Sequence, residues 1–172
     1  MKNTPLSLFA LVTVLTGCFT MTPALQWNAA SDAAEAQYRP YLTGGKCSLT
    51  GQAFLVQSGG ATVKAAGRTV TLDPATSVGN EWWTKVGRSW EHRELTPPSP
   101  GFAKARRTTV ADADGRFKFS GLTAAKYYVR TEGTEVTWEA GRYSLSQRGL
   151  VGQPVELREG QTTKIIVKQF SP

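Results

Sequence analysis

Asp112-Ala113-Asp114-Gly115, set between the β-forming runs 108–111 and 116–120, constrains this chain more than any other feature. Glycine takes positive φ at no steric cost and aspartate favours tight turns, so the tetrapeptide predicts a hairpin joining the two runs. Phe117 and Phe119 would then share one face of the second strand. The same period of two recurs along the chain. Leu49-Thr50-Gly51-Gln52-Ala53-Phe54-Leu55-Val56 opens the series, and Val70-Thr71-Leu72 follows, ended by Asp73-Pro74. Runs at 127–131, 135–138, 155–157 and 164–168 complete it, the last beyond a turn at Glu159-Gly160. Short alternating segments bounded by Gly, Pro and Asp predict an all-β sandwich of roughly seven strands. Nothing recurs at a fixed longer period, so a repeat architecture is not indicated.

Composition narrows what such a sandwich could do. At 172 residues and 40% hydrophobic content, the chain suits one domain and is too apolar for disorder. Its 20 Lys+Arg against 13 Asp+Glu give a net charge of +7, but no Lys/Arg-rich run or nucleic-acid module accompanies the excess. Two cysteines and one histidine exclude a structural zinc cluster and a disulfide framework, and no metal or cofactor is expected.

The first residues say where the chain goes. Lys2 precedes an apolar run from Leu6 to Leu15, about half the ~20 residues a bilayer span needs, so the segment reads as a secretory signal. Leu15-Thr16-Gly17-Cys18 resembles the lipobox of bacterial lipoproteins. That resemblance implies lipidation of Cys18, removal of residues 1–17, and an anchor of two or three acyl chains, each worth ~0.8 kcal/mol per buried methylene. Phe19, where aspartate would favour inner-membrane retention, implies an outer-membrane lipoprotein facing the periplasm. Alternatively, Thr22-Pro23-Ala24 offers an ordinary cleavage site that would discard Cys18. Residues 18–46 then read as a lipidated tether, where Trp27, Ala30, Ala34 and Tyr38 at helical spacing fit one short helix docked on the body. Residues 47–172 are the body. Cys47, left without a partner in the mature chain, reads as a small buried residue at a strand start.

The stretch from Thr109 to Leu122, followed by Tyr127-Tyr128-Val129, resembles the signature of carboxypeptidase regulatory-like domains. Leu49-Thr50-Gly51-Gln52-Ala53, Val70-Thr71-Leu72 and Val155-Glu156-Leu157-Arg158-Glu159-Gly160-Gln161 fit the same order, so the likeness spans about residues 48–169. It implies a transthyretin-like Greek-key sandwich. Where the family commonly has Leu-Pro-Ala-Gly, this chain has Leu122-Thr123-Ala124-Ala125, which predicts an altered turn. In metallocarboxypeptidases such a domain accompanies a separate zinc domain, for which this chain has no room, so the fold does not carry that activity here.

The one connection longer than a hairpin needs runs from Leu72 to Thr108 and holds Trp82, Trp83 and Trp90. Asn80 is placed to cap a short helix over 81–90. That helix either covers a sandwich face and buries its tryptophans or presents them to a partner. Lys85, Arg88, Arg93, Lys104, Arg106 and Arg107 make the segment basic, which fits a solvated face or contact with an anionic envelope component. The candidate binding surface is thus Trp82, Trp83, Trp90, Lys85, Arg88, Lys104, Arg106 and Arg107, with Pro97-Pro98-Ser99-Pro100-Gly101 expected as an exposed extended loop.

Catalytic arrangements are weak. His92 stands between Glu91 and Arg93, as an exposed histidine would, and no Gly-x-Ser-x-Gly elbow presents a serine. Asp112 and Asp114 are a fragment of a calcium loop that the turn already explains. The expected function is therefore a lipid-anchored, non-catalytic binding or structural module of the cell envelope, with membrane contact through its lipid and no nucleic-acid partner. Two alternatives stand beside it: an assembly lipoprotein of a secretion or other envelope machine, and a soluble periplasmic ligand-binding protein.

Overall fold

Cys47, Leu49, Ala53 and Leu55 alternate along the chain and all turn inward, which makes Cys47–Val56 the central strand, β1, of the first sheet. The computed structural model describes residues 32–56, 61–87, 98–139 and 142–168, and for 132–151 it describes the backbone. One edge of β1 is shared by two antiparallel strands, β5 (Arg116–Leu122) along its first half and β2 (Thr62–Lys64) at its end. The other edge carries β8 (Thr162–Lys168), which runs parallel, so this sheet is mixed.

The second sheet is antiparallel throughout, in the order β4 (Arg107–Val110), β3 (Thr69–Pro74), β6 (Lys126–Glu139), β7 (Arg142–Glu156). Val70, Leu72, Tyr127, Val129 and Val155 face Leu49, Leu55, Phe117, Phe119 and Val167 of the first sheet in one continuous core. At about 1.5–3 kcal/mol for each large apolar side chain removed from water, this layer carries most of the fold's favourable energy. The two-sheet, all-β sandwich agrees with the expected fold class.

Several local expectations are corrected. Asp112-Ala113-Asp114-Gly115 does form a turn, with Asp112 Oδ1 accepting from the backbone N–H groups of Asp114 and Arg116 at 2.8 Å each. It is not a hairpin, because β4 belongs to the second sheet and β5 to the first. The turn carries the chain across the sandwich. Gly115 sits there at φ 74°, where a Cβ would stand 2.8 Å from the carbonyl oxygen of Ala53. The runs at 127–131 and 135–138 are one strand, β6, and Val155-Glu156 is the end of the long β7. Asp73-Pro74 ends β3 as expected, and both residues are buried there because β3 is covered on both faces. At the altered turn, the left-handed residue is Gly121 at φ 68°, and Leu157 N–H donates to the Ala125 carbonyl at 2.9 Å.

Candidate functional site

The outer face of the second sheet is covered by a helical layer, and the site is built where that layer stops. Thr76 caps helix α3 (Ser77–Trp82), its Oγ1 accepting from Gly79 N–H at 3.0 Å. Asn80 is therefore inside the helix and not its cap. A π-helical turn, Trp83–Gly87, follows directly. Helix α4 (Pro100–Ala105) is capped by Ser99, whose Oγ accepts from Phe102 N–H at 3.2 Å. The proline-rich stretch is thus a helix start from Ser99 onward, with Pro100 at the first turn where its missing N–H costs nothing, and not an exposed extended loop. Pro97 lies outside the described residues.

Residues read as tether pack on this layer. Helix α1 (Asp32–Ala36) brings Glu35 Oε2 to the Gly101 N–H at 2.8 Å, and Gln37 Oε1 accepts from Ser77 N–H and Oγ at 3.0 and 2.9 Å. Tyr38 is 1% exposed, edge-on to Phe102 at 6.1 Å between ring centroids. Helix α2 (Arg39–Leu42) follows, and within it Tyr41 meets Tyr127 edge-on at 5.1 Å and donates its hydroxyl to the Lys126 carbonyl at 3.1 Å. Burial raises the Tyr41 hydroxyl pKa, with Tyr38 adding to the effect. It pushes Tyr127 up to about 12, with Tyr41 adding to it.

The proposed aromatic and basic surface divides. Trp82 is fully buried, 5.2 Å from the Phe102 ring, with the guanidinium groups of Arg106 and Arg130 at 5.2 and 5.3 Å from its own ring centroid. Trp83 stacks on Tyr128 at 4.5 Å and 8° between planes, and Gly152 lies under its ring because a Cβ there would come within 2.4 Å of Cη2. These two tryptophans are core residues of the helical layer, which corrects their place on an exposed surface. Arg106 is also withdrawn: its Nε donates to Asp73 Oδ1 at 2.5 Å, while Arg130 Nε donates to Oδ2 at 2.8 Å. Lys104 and Arg107 are exposed, and exposed Lys85 pairs with Glu81 at 2.5 Å one helical turn away. Cys18, Arg88, Trp90 and His92 lie outside the described residues. Cys47 is buried at the start of β1, its Sγ donating to the Arg158 carbonyl at 3.2 Å.

Sequence reasoning missed the concavity the structure shows. Beside α3, where the helical layer ends, a cleft of about 440 Å³ opens among Ala75, Asn80, Lys126, Tyr128, Pro154 and Glu156. Tyr128 donates its hydroxyl to Asn80 Oδ1 at 3.0 Å, which fixes that amide with its nitrogen as a remaining donor. Lys126 and Glu156 are register partners on β6 and β7, both exposed, so an ammonium and a carboxylate stand on one side of the cleft. A half-buried ring with an amide, a cation and an anion around it can bind a polar ligand in a fixed orientation. The lone signal in the sequence was the run Lys126-Tyr127-Tyr128, which cannot reveal that Asn80 of α3 is brought against it. Among the described residues, no group of three or more His, Cys, Asp or Glu could hold a metal ion, and no helix is long and apolar enough to cross a membrane.

No family profile and no curated protein matches this chain. Among solved structures it is similar to a candidate carbohydrate-binding protein from Pseudomonas aeruginosa, at 24% identity over 80% of this chain and 98% of the other, with a TM-score of 0.67. The likeness establishes the sandwich fold. Looser overlaps occur with the major pilin subunit of Bacillus cereus, at 16% identity over 74% of this chain and 30% of that one with a TM-score of 0.40. A minor pilin of Streptococcus agalactiae overlaps at 17%, 73% and 45%, with a TM-score of 0.32. Neither of the two pilin overlaps is close enough to carry an argument.

Proposed function

We propose that this protein is a non-catalytic binding module of the bacterial envelope, anchored through lipid on Cys18 and holding a polar ligand in the Asn80–Tyr128–Glu156 cleft. The cleft is the observation that carries the reading. Its polar groups are few, of mixed charge, and grouped around a tyrosine ring, which suits a polyhydroxylated ligand better than a strongly anionic one. The carbohydrate-binding assignment suggested for the Pseudomonas protein of similar fold points the same way. Support for the anchor is the Leu15-Thr16-Gly17-Cys18 ending and its likeness to a lipobox. The carboxypeptidase regulatory-like signature is consistent with a module that accompanies chemistry done elsewhere, and a single histidine leaves little for chemistry of its own. An outer-membrane location facing the periplasm completes the proposal.

Two measurements test it separately. Intact mass of the protein from bacterial membranes should show an acylated chain beginning at Cys18, absent from Cys18→Ser, and a bare chain beginning at Leu25 would remove the anchor. Calorimetric titration with a panel of soluble oligosaccharides should find a binder whose affinity falls about tenfold or more in Asn80→Ala or Glu156→Ala. Binding untouched by both substitutions would refute the cleft as the site.

A further inference from the structure

The second sheet does not end where the sandwich does. β3 pairs with β6 only as far as Thr131, whereas β6 and β7 remain paired to Glu139 and Arg142. At ~3.4 Å per residue the two strands run on for about 25 Å as a ribbon. A two-stranded ribbon is marginal in water, and a third strand is what stabilises it. Among the described residues, no strand lies on the outer edge of β6 beyond Thr131 or on that of β7 from 142 to 150.

The two edges differ in charge. Residues 132–139 contain Glu132, Glu135 and Glu139 and no lysine or arginine, while 142–151 contain Arg142 and Arg148 and no acidic residue. The register also separates two faces: Val136 with Leu145 and Trp138 with Tyr143 occupy one, and Glu135 with Ser146, Thr137 with Ser144 and Glu139 with Arg142 occupy the other. A register shift between Thr134 and Glu135 marks the body end of the ribbon and leaves 135–139 regularly paired.

The geometry points to a second copy of this chain as the missing strand, with the acidic β6 edge of one molecule adding to the basic β7 edge of the next. Pairing β6 with β6 would bring glutamates together, and pairing β7 with β7 would bring arginines together, so both symmetric pairings are opposed by charge. The β6-to-β7 pairing is attractive and joins the apolar faces of two ribbons into one surface. Because that contact uses a different edge on each molecule, it leaves a free edge at both ends and generates a series of oligomers instead of one closed dimer. A lipid surface suits the ribbon less well, since three glutamates line the strand that carries Trp138.

Sedimentation velocity on the full chain, carrying Cys18→Ser so that no acyl chain drives association, tests the pairing. The average mass should rise with concentration and fall with added salt. Glu132→Lys/Glu135→Lys should weaken self-association about tenfold or more, and Arg148→Glu should do the same. An equal mixture of the two charge-reversed proteins should recover affinity to within about threefold of the unchanged chain, because each then supplies the complementary edge. That recovery separates edge pairing from misfolding of a variant. A monomer at every concentration, association indifferent to both reversals, or a mixture that stays monomeric would overturn the proposal. So would a monomer that binds phosphatidylglycerol vesicles and loses that binding in Trp138→Ser, which would assign the ribbon to lipid.

Discussion

Replacing Asp73 should be among the most costly single changes in this protein. Its carboxylate is fully buried on the helical side of β3 and accepts from two guanidinium groups, Arg106 at 2.5 Å and Arg130 at 2.8 Å. Hydrogen bonds to charged groups contribute about 1.5–3 kcal/mol each, but they do not simply add, because desolvation of the carboxylate already offsets part of them. Arg130 is 3% exposed at its side chain and Arg106 16%, so the Arg130 contact is the less screened. Asp73→Ala leaves both Nε donors without this acceptor in a dry site, and a loss of about 3–5 kcal/mol is expected. Asp73→Asn keeps one acceptor oxygen and should cost about half as much. Urea unfolding followed by tryptophan fluorescence gives the free energies, and a cycle with Arg130→Met should return a coupling of about 1.5–3 kcal/mol. An Asp73→Ala protein within about 1 kcal/mol of the parent at unchanged m-value, or a cycle without coupling, would refute the argument that this triad holds the helical layer to the sheet.

Two further expectations rest on tyrosines. Tyr127 has its pKa pushed to about 12 from 10.0, so the folded chain keeps a proton that the unfolded chain releases. Its contribution is intact below pH 10 and is lost as pH rises from about 10 to about 12, amounting to about 1–2 kcal/mol once solvent screening is allowed for, and Tyr127→Phe should flatten that part of a stability-versus-pH curve. Tyr38 is buried with its hydroxyl lacking a hydrogen-bond partner among the described residues, so Tyr38→Phe should be neutral or stabilising by thermal melt while Tyr38→Ala costs about 3 kcal/mol. Equal losses in the two would show that the hydroxyl, and not the ring, holds α1 and α2 to the body.

Local chemistry made some features legible in the sequence. Period-two patterning marked β1, β5 and the start of β6, because a strand with one buried face must alternate. Asp112 and Gly115 announced a turn, because its hydrogen bonds and its positive φ are short-range. Trp83 and Tyr38 were identifiable by helical spacing as residues that could dock on the body, whereas Trp82 was not.

What tertiary structure decided was everything that depends on which surfaces meet. Nothing local says whether strands flanking a turn pair with each other or with separate sheets, so β4 and β5 read as a hairpin and are a crossing. Asp73-Pro74 is legible as the end of β3, but nothing local shows that two arginines, 33 and 57 residues away in sequence, are brought to the Asp73 carboxylate. The cleft is all but invisible in the sequence, since it exists only where Ala75 and Asn80 are brought beside Lys126, Tyr128 and Glu156. By itself the sequence determined which segments could be strands and which side chains preferred burial, through short-range sterics and hydrophobicity. Sheet membership, the pairing of Arg106 with Asp73, the burial of Trp82, and the placing of Asn80 against Tyr128 came from contacts between residues far apart in the chain, which only the packed molecule fixes.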